Sequence, residues 1–189
     1  MEAFLRALLP RVLPAGVEFD VHPFQGKPDL LGKLESRLRA YSRWLPSDWR
    51  VVVLVDRDDD DCRALRRQLD AAARTAGLSV RGSAAPWQLA SRIAIEELEA
   101  WYFGDWDAVR AAYPRVSADV PRRTQFRAPD AISGGTWEAF ERVLQRHGYF
   151  ASGLAKIDAA RSIGAHASFE RSRSPSFGAL HRVLSDAAR

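Results

Sequence analysis

The sequence predicts an α/β fold, with a mostly parallel sheet flanked by helices and a helical C-terminal part. Three observations carry this. Helical and strand periodicities alternate through the N-terminal half. One segment, Arg50–Val55 (RVVVLV), is apolar almost without a break, as expected of a central strand covered on both faces. From Thr136 onward only helical spacing returns.

The elements follow in order. Residues 3–12 place Phe4, Leu5, Leu8, Leu9 and Val12 at helical spacing. Residues 17–23 (VEFDVHP) alternate apolar and polar, which predicts a strand. Residues 28–44 read as a helix, with Pro28 at its start and Leu30, Leu31, Leu34, Leu38 and Tyr41 on one face. The 50–55 strand stops at Asp56. A helix follows over 62–76, with Leu65, Leu69 and Ala72 as its stripe and Gly77 as its C-cap. Strands are expected at 78–81 and 89–95, and a helix from Glu96 to Phe103. The polar stretch 104–135, with Pro114, Pro121 and Pro129 and a basic cluster at Arg122, Arg123 and Arg127, reads as a short helix plus loop. Residues 136–147, 154–164 and 177–188 read as helices. This divides the chain into an α/β core over 1–112 and a helical extension over 113–189 packed on it.

The chain has 189 residues, 47% of them hydrophobic and 28% charged, enough for a real core and a polar surface. No apolar run approaches the roughly 20 residues of a membrane span. Residues 1–14 carry Glu2 and lack a small-residue cleavage site, so they do not read as a signal peptide. The single cysteine, Cys62, excludes an internal disulfide and a multi-cysteine zinc site. A cytoplasmic setting is expected. The net charge of +4 permits nucleic-acid binding without demanding it. Biased Arg and Ala usage accounts for most of the arginines.

Ligands of open α/β sheets gather at the carboxyl ends of strands. Asp56 and Asp58 stand at such an end. Residues two apart on an extended chain point the same way, and two close carboxylates repel unless a cation separates them. A hard divalent ion, Mg2+ or Mn2+, meets that need and keeps waters that a phosphate can replace. Asp59, Asp60 and Asp61 suit the dipole at the start of the next helix. A second strand runs into acids at Glu96, Glu97 and Glu99. Glu96 and Glu99 are three apart and are expected to share a helix face, with Glu97 about a third of a turn round from Glu96. One of the three is expected to complete the metal site.

Other residues carry weaker expectations. Arg161, Arg171 and Arg173, interleaved with Ser172, Ser174 and Ser176, form a candidate phosphate patch. Lys156 stands out because only three lysines occur in the chain, and its compact charge suits a scissile phosphate. His22, His147, His166 and His181 read as surface residues, with His22 a weak site candidate. Cys62 reads as a buried helix residue. Trp101 reads as core; Trp87 and Trp106 are weaker candidates for base stacking. No glycine-rich dinucleotide turn and no Walker lysine loop is present, which argues against a nucleotide-binding Rossmann domain.

A strand ending in Asp-x-Asp with a separate glutamate resembles the toprim domain of topoisomerases, primases and overcoming-lysogenization-defect nucleases. More narrowly, VVVLVDRDDDD (51–61), RIAIEELEAWYFGD (92–105), AKIDAARSIGAH (155–166) and SRSPSF (172–177) resemble the toprim-related family known as domain of unknown function 4276. The resemblance covers most of the chain and implies a toprim, Rossmann-like sheet. It implies Asp56 and Asp58 as the metal pair, Glu97 and Glu99 as further acids, and Lys156 as a phosphate contact. It implies magnesium or manganese, phosphodiester chemistry in phage defence or DNA repair, and an ATPase partner of the ABC/SMC type. Related chains carry a strand and a Glu-Gly-x-x-Glu turn before the first helix. Here Met1-Glu2-Ala3-Phe4 aligns inside that helix, so the sheet is expected to lack that strand and its glutamate. Two functions remain open: a metal-dependent nuclease, and a catalytically degenerate module that binds a protein partner or nucleic acid.

Overall fold

The computed structural model describes residues 1–83 and 86–189. Among these residues it is a mixed α/β protein with eight α-helices and one small sheet of two parallel strands. The first helix, α1 (Glu2–Val12), buries Phe4, Leu8 and Leu9, and the second, α2 (Gly26–Tyr41), buries Leu30, Leu34 and Leu38. Strand β1 (Val51–Asp56) pairs in parallel with β2 (Leu89–Ala94), from Val51 opposite Leu89 to Asp56 opposite Ala94. Between them runs α3 (Cys62–Thr75), whose N-terminus is capped by the Asp61 carboxylate, accepting from the Ala64 amide at 2.7 Å.

The sheet separates two cores, which explains the unbroken apolar run of β1. Val53 and Val55 pack with α2 and α3 against Leu34, Leu38, Leu65 and Leu69. Val52 and Leu54 pack on the other face against the larger core. Because side chains alternate along a strand, a strand covered on both faces must be apolar at odd and even positions alike.

The larger core is built round α4 (Leu98–Gly104), every residue of which is buried. It gathers α5 (Trp106–Ala112), α6 (Thr136–Arg146), α7 (Lys156–Gly164) and α8 (Pro175–Ala187). Phe4 meets Trp101 and Phe177, with ring centroids 5.9 Å apart in each case, so residues on both sides of position 112 share one core. Short 3-10 turns at Val120–Arg122, Thr124–Phe126 and Pro129–Ala131 fill the stretch between α5 and α6.

Helix α1 crosses α7 at Gly164, where a Cβ atom would stand 2.6 Å from the Phe4 carbonyl oxygen. Arg11 seals the crossing by donating to the carbonyls of Gly164 and Ala167 at 3.1 and 3.0 Å.

Four expectations are corrected. Residues 17–23 form no strand: their alternation suits an extended chain, but a strand also needs a neighbouring edge, and here Val21 offers its carbonyl to the Arg6 guanidinium instead. Residues 78–81 make a single parallel bridge, Val80 to Leu89, because Gly77 and Gly82, both at positive φ, turn the chain on either side. The second helix ends at Tyr41 rather than Trp44, which is 61% exposed. Glu96 lies outside α4, at φ +63°, so it does not share a helix face with Glu99.

Candidate functional site

The carboxyl ends of β1 and β2 are tied together beyond the ladder. The Arg57 amide donates to the Ala94 carbonyl at 2.9 Å, and the Asp58 amide to the Glu96 carbonyl at 3.1 Å. The Arg57 guanidinium pairs with the Glu96 carboxylate. Asp58 (φ +49°) and Glu96 (φ +63°) both adopt the left-handed conformation that L-residues other than glycine rarely take. Such strain is held in place only by surrounding structure, and it clusters at functional sites. It turns both chains sharply where the strands stop.

The turn separates the two aspartates in role. Asp56, still in the strand, is half-buried, and its buried Oδ1 has no hydrogen-bond partner among the described residues. Burial, with the charges of Asp58 and Glu97 adding to it, raises its pKa to about 6. Asp58 lies beyond the strand end, so extended-chain alternation does not align it with Asp56. Its half-exposed carboxylate is held by the Lys27 ammonium at 2.7 Å. Lys27 also reaches the Asp60 carboxylate at 2.6 Å and the Arg57 carbonyl at 2.8 Å. Burial pulls the Lys27 pKa down, but its hydrogen bonds and ion pairs with Asp58 and Asp60 outweigh this and hold it above the ordinary value.

The glutamates divide in the same way. Glu99 is 7% exposed because α4 is buried all round. Burial first, then the charges of Glu97 and Asp56, raise its pKa to about 7. Glu97 faces another task. Its Oε2 accepts from the Thr136 amide at 3.1 Å, the Thr136 hydroxyl at 2.9 Å and the Trp137 amide at 3.0 Å, capping α6. Tyr102 completes the cluster. Its hydroxyl is buried without a partner, and its pKa is pushed well up by burial and then by the charges of Glu99 and Asp56.

The sequence-predicted phosphate residues disperse. Lys156, the first residue of α7, sits exposed with its ammonium 3.8 Å from the centre of the Trp137 ring. It therefore stands beside the end of α6 that Glu97 caps, and its charge acts on Glu99. Arg161 pairs with Asp158 on its own helix at 3.1 Å. Arg171 holds the buried Asp105 in a fork, at 3.1 and 2.9 Å. The Arg173 amide donates to the Gly104 carbonyl, and its side chain is exposed. Ser174 and Ser176 are buried against Asp130 and Trp101, as Trp101 donates to the Ser176 hydroxyl at 2.9 Å.

Of the remaining candidates, Trp101 and Trp106 are core residues, while Trp87 lies half-buried under the Arg50 guanidinium. His22 and His166 are exposed, His147 and His181 partly buried, and Cys62 is half-buried rather than buried at the start of α3. Lys27, Tyr102 and Trp137 escaped the sequence reading. The rarity of lysine, which singled out Lys156, would have singled out Lys27 as well.

Carboxylate oxygens are the donors that a hard divalent cation takes. Asp56, Glu97 and Glu99 bring like charges together, with an orphaned carboxylate oxygen and an orphaned phenol among them. As the side chains stand, no three His, Cys, Asp or Glu side chains among the described residues are grouped to hold a metal ion. Asp58 is taken by Lys27, and one Glu97 oxygen by α6.

Fold and site together define a mixed α/β protein with several partly buried carboxylates near the carboxyl ends of two parallel strands. The chain belongs to the family described as Domain of unknown function (DUF4276), whose family model matches residues 1–185. No curated protein and no solved structure matches it. No helix among the described residues is long and apolar enough to cross a membrane.

Proposed function

We propose that the protein is a metal-dependent phosphodiesterase, a nuclease of toprim type, acting in defence or DNA repair beside an ATPase of the ABC/SMC class. The observation that carries this reading is three acids at one end of the sheet, Asp56 at the end of β1, Glu97 after β2 and Glu99 in α4, whose charges act on one another and among which Asp56 Oδ1 has no hydrogen-bond partner among the described residues. The Asp-x-Asp and Glu-Leu-Glu-Ala-Trp stretches, which resemble toprim chains, support it from the sequence side.

Magnesium or manganese would be held by Asp56, Glu97 and Glu99, with Asp58 joining them, and would supply a polarised phosphate oxygen and an activated water. The chain's own groups do the rest. Glu99, with a pKa near 7, carries a proton part of the time at neutral pH and releases it when a cation approaches. Lys156, its ammonium seated over the Trp137 ring, offers a point charge to a phosphate oxygen. Arg173 adds an exposed guanidinium for nucleic acid.

Plasmid cleavage in magnesium or manganese, compared between the protein and Asp56→Asn, tests the assignment. Asn keeps the shape of the buried side chain and removes its charge. Cleavage lost in the variant supports the reading; equal cleavage by both proteins sinks it.

A second reading has its own observation. Lys27 already neutralises Asp58 and Asp60, and Glu97 already serves α6. On that basis the protein is a catalytically degenerate toprim-like module that binds a protein partner or nucleic acid. Calorimetry with manganese separates the two: absence of binding at about millimolar ion favours the module.

A further inference from the structure

One face of α8 gathers arginines from distant parts of the chain. Ala179, Arg182 and Asp186 recur on that face at helical spacing. Seven residues of helix rise span roughly 10 Å. At one end the half-buried Arg92 guanidinium, from β2, donates to the Ala179 carbonyl at 3.1 Å and to the Ser91 carbonyl at 2.7 Å. At the other end Arg81 pairs with the Asp186 carboxylate, which Arg189 also approaches at 3.9 Å. Arg182 lies between them in sequence along the helix and is exposed. Asp186 is thus shared by two arginines, and neither Arg92 nor Arg182 has a carboxylate partner among the described residues. Burial first, then the charges of Arg66, Arg81 and Arg182, lower the Arg92 pKa to about 10. Like charges held this near repel, and an arriving anion relieves the repulsion. Guanidinium forks match phosphate oxygens, and a row of them along a helix suits a linear polyanion more than one small ion.

We propose that this face of α8, with Arg81, Arg92, Arg182 and Arg189, binds the phosphodiester backbone of nucleic acid. The proposal rests on nucleic acid being a ligand, as in the readings above, and not on a metal ion. Contacts of this kind position a backbone without reading its sequence. Arg182 and Arg189, which are exposed, touch the phosphates directly; Arg92, fixed by two carbonyls, adds its positive field beneath them.

The test is the affinity of the full chain for a fluorescein-labelled DNA duplex, read by anisotropy over a range of salt in the presence of a chelator, so that neither metal nor cleavage enters. Arg182→Gln should weaken binding about fivefold at low salt, equally for duplexes of different sequence, and reduce the slope of log affinity against log salt by about 0.9. Arg182→Lys should recover most of the loss. Arg123→Gln, an exposed arginine on another part of the chain, should leave binding unchanged. Poly-L-glutamate, a polyanion without phosphates, should compete less well than unlabelled duplex. An unchanged affinity in Arg182→Gln overturns the proposal. So does an equal loss in Arg123→Gln, because the effect is then one of net charge, and so does competition by poly-L-glutamate as strong as that by DNA, which marks a surface for acidic protein. In these three outcomes the parent still binds DNA and the nucleic-acid reading stands. A parent that binds no DNA at any salt overturns both.

Discussion

The Glu97 carboxylate caps a helix that begins 39 residues later: its Oε2 takes hydrogen bonds from the Thr136 amide and hydroxyl and from the Trp137 amide. The end of β2 is thereby fastened to α6, and the capped helix start carries the ring on which Lys156 rests. Gly135, at φ +82°, stands before Thr136, and a Cβ there would collide with the Glu138 carboxylate.

Glu97→Ala should therefore destabilise the protein by about 2 kcal/mol, the upper range of a lost helix cap, because three donors lose one charged acceptor. Glu97→Gln, which keeps an acceptor oxygen, should recover more than half of the loss. Urea denaturation of the three proteins checks this. Equal midpoints for Ala and the parent would mean the cap is not holding α6.

Glu99 predicts a pH dependence of stability. Its folded pKa of about 7 lies above the ordinary 4.5, so between those values the folded state binds more protons than the unfolded state. Stability then falls as pH rises through this window, and the contribution is fully present only below pH 4.5. Asp56, raised from 3.8 to about 6, has the same sign. Glu99→Gln should be more stable than the parent by about 2–3 kcal/mol at pH 8, with the difference shrinking toward pH 4.5, where both forms are neutral. Denaturant titrations at the two pH values measure it. A variant with the same stability difference at both would falsify the ionisation argument.

A divalent ion should reverse that trend. Metal binding is favoured by deprotonated ligands and stabilises whatever state binds it. Millimolar Mn2+ should raise the melting temperature at pH 8 and leave it nearly unchanged at pH 5, where Asp56 and Glu99 hold their protons. Scanning calorimetry with and without Mn2+ at both pH values decides it; no shift at pH 8 argues against a cation at the cluster.

Asp105 and Arg171 yield a prediction about the phosphate patch. Asp105 is 3% exposed, caps α5 and accepts from the Ser168 amide at 2.7 Å, and Arg171 forks onto both its oxygens. Arg171→Met should cost about 2–3 kcal/mol, because a buried carboxylate loses its counter-charge. Arg173→Met, with an exposed side chain, should cost little stability. Thermal melts of both variants, read beside nucleic-acid affinity, separate an arginine that holds the fold from one available to a ligand.

The crossing of α1 and α7 is a steric prediction. Gly164→Ala would place a methyl group 2.6 Å from the Phe4 carbonyl oxygen and 3.1 Å from the Ala7 Cβ. Backbone yields less than a flexible side chain, so the variant should lose about 1–3 kcal/mol in chemical denaturation despite the better helix propensity of alanine.

Much of this molecule was written locally. The unbroken apolar run of β1, the helical stripes of Leu30, Leu34 and Leu38 and of Leu65 and Leu69, and the acids placed directly after two strands were all legible, because side-chain period and charge are properties of neighbouring residues. What only the tertiary structure decided were matters of partners far apart in sequence. Residues 17–23 had the pattern of a strand but found no edge to pair with. Asp58 had the spacing of a ligand but met Lys27. Glu97 looked like Glu99 in the sequence, yet one caps a distant helix and the other lies buried in α4, since burial and long-range hydrogen bonding depend on which surfaces folding brings together.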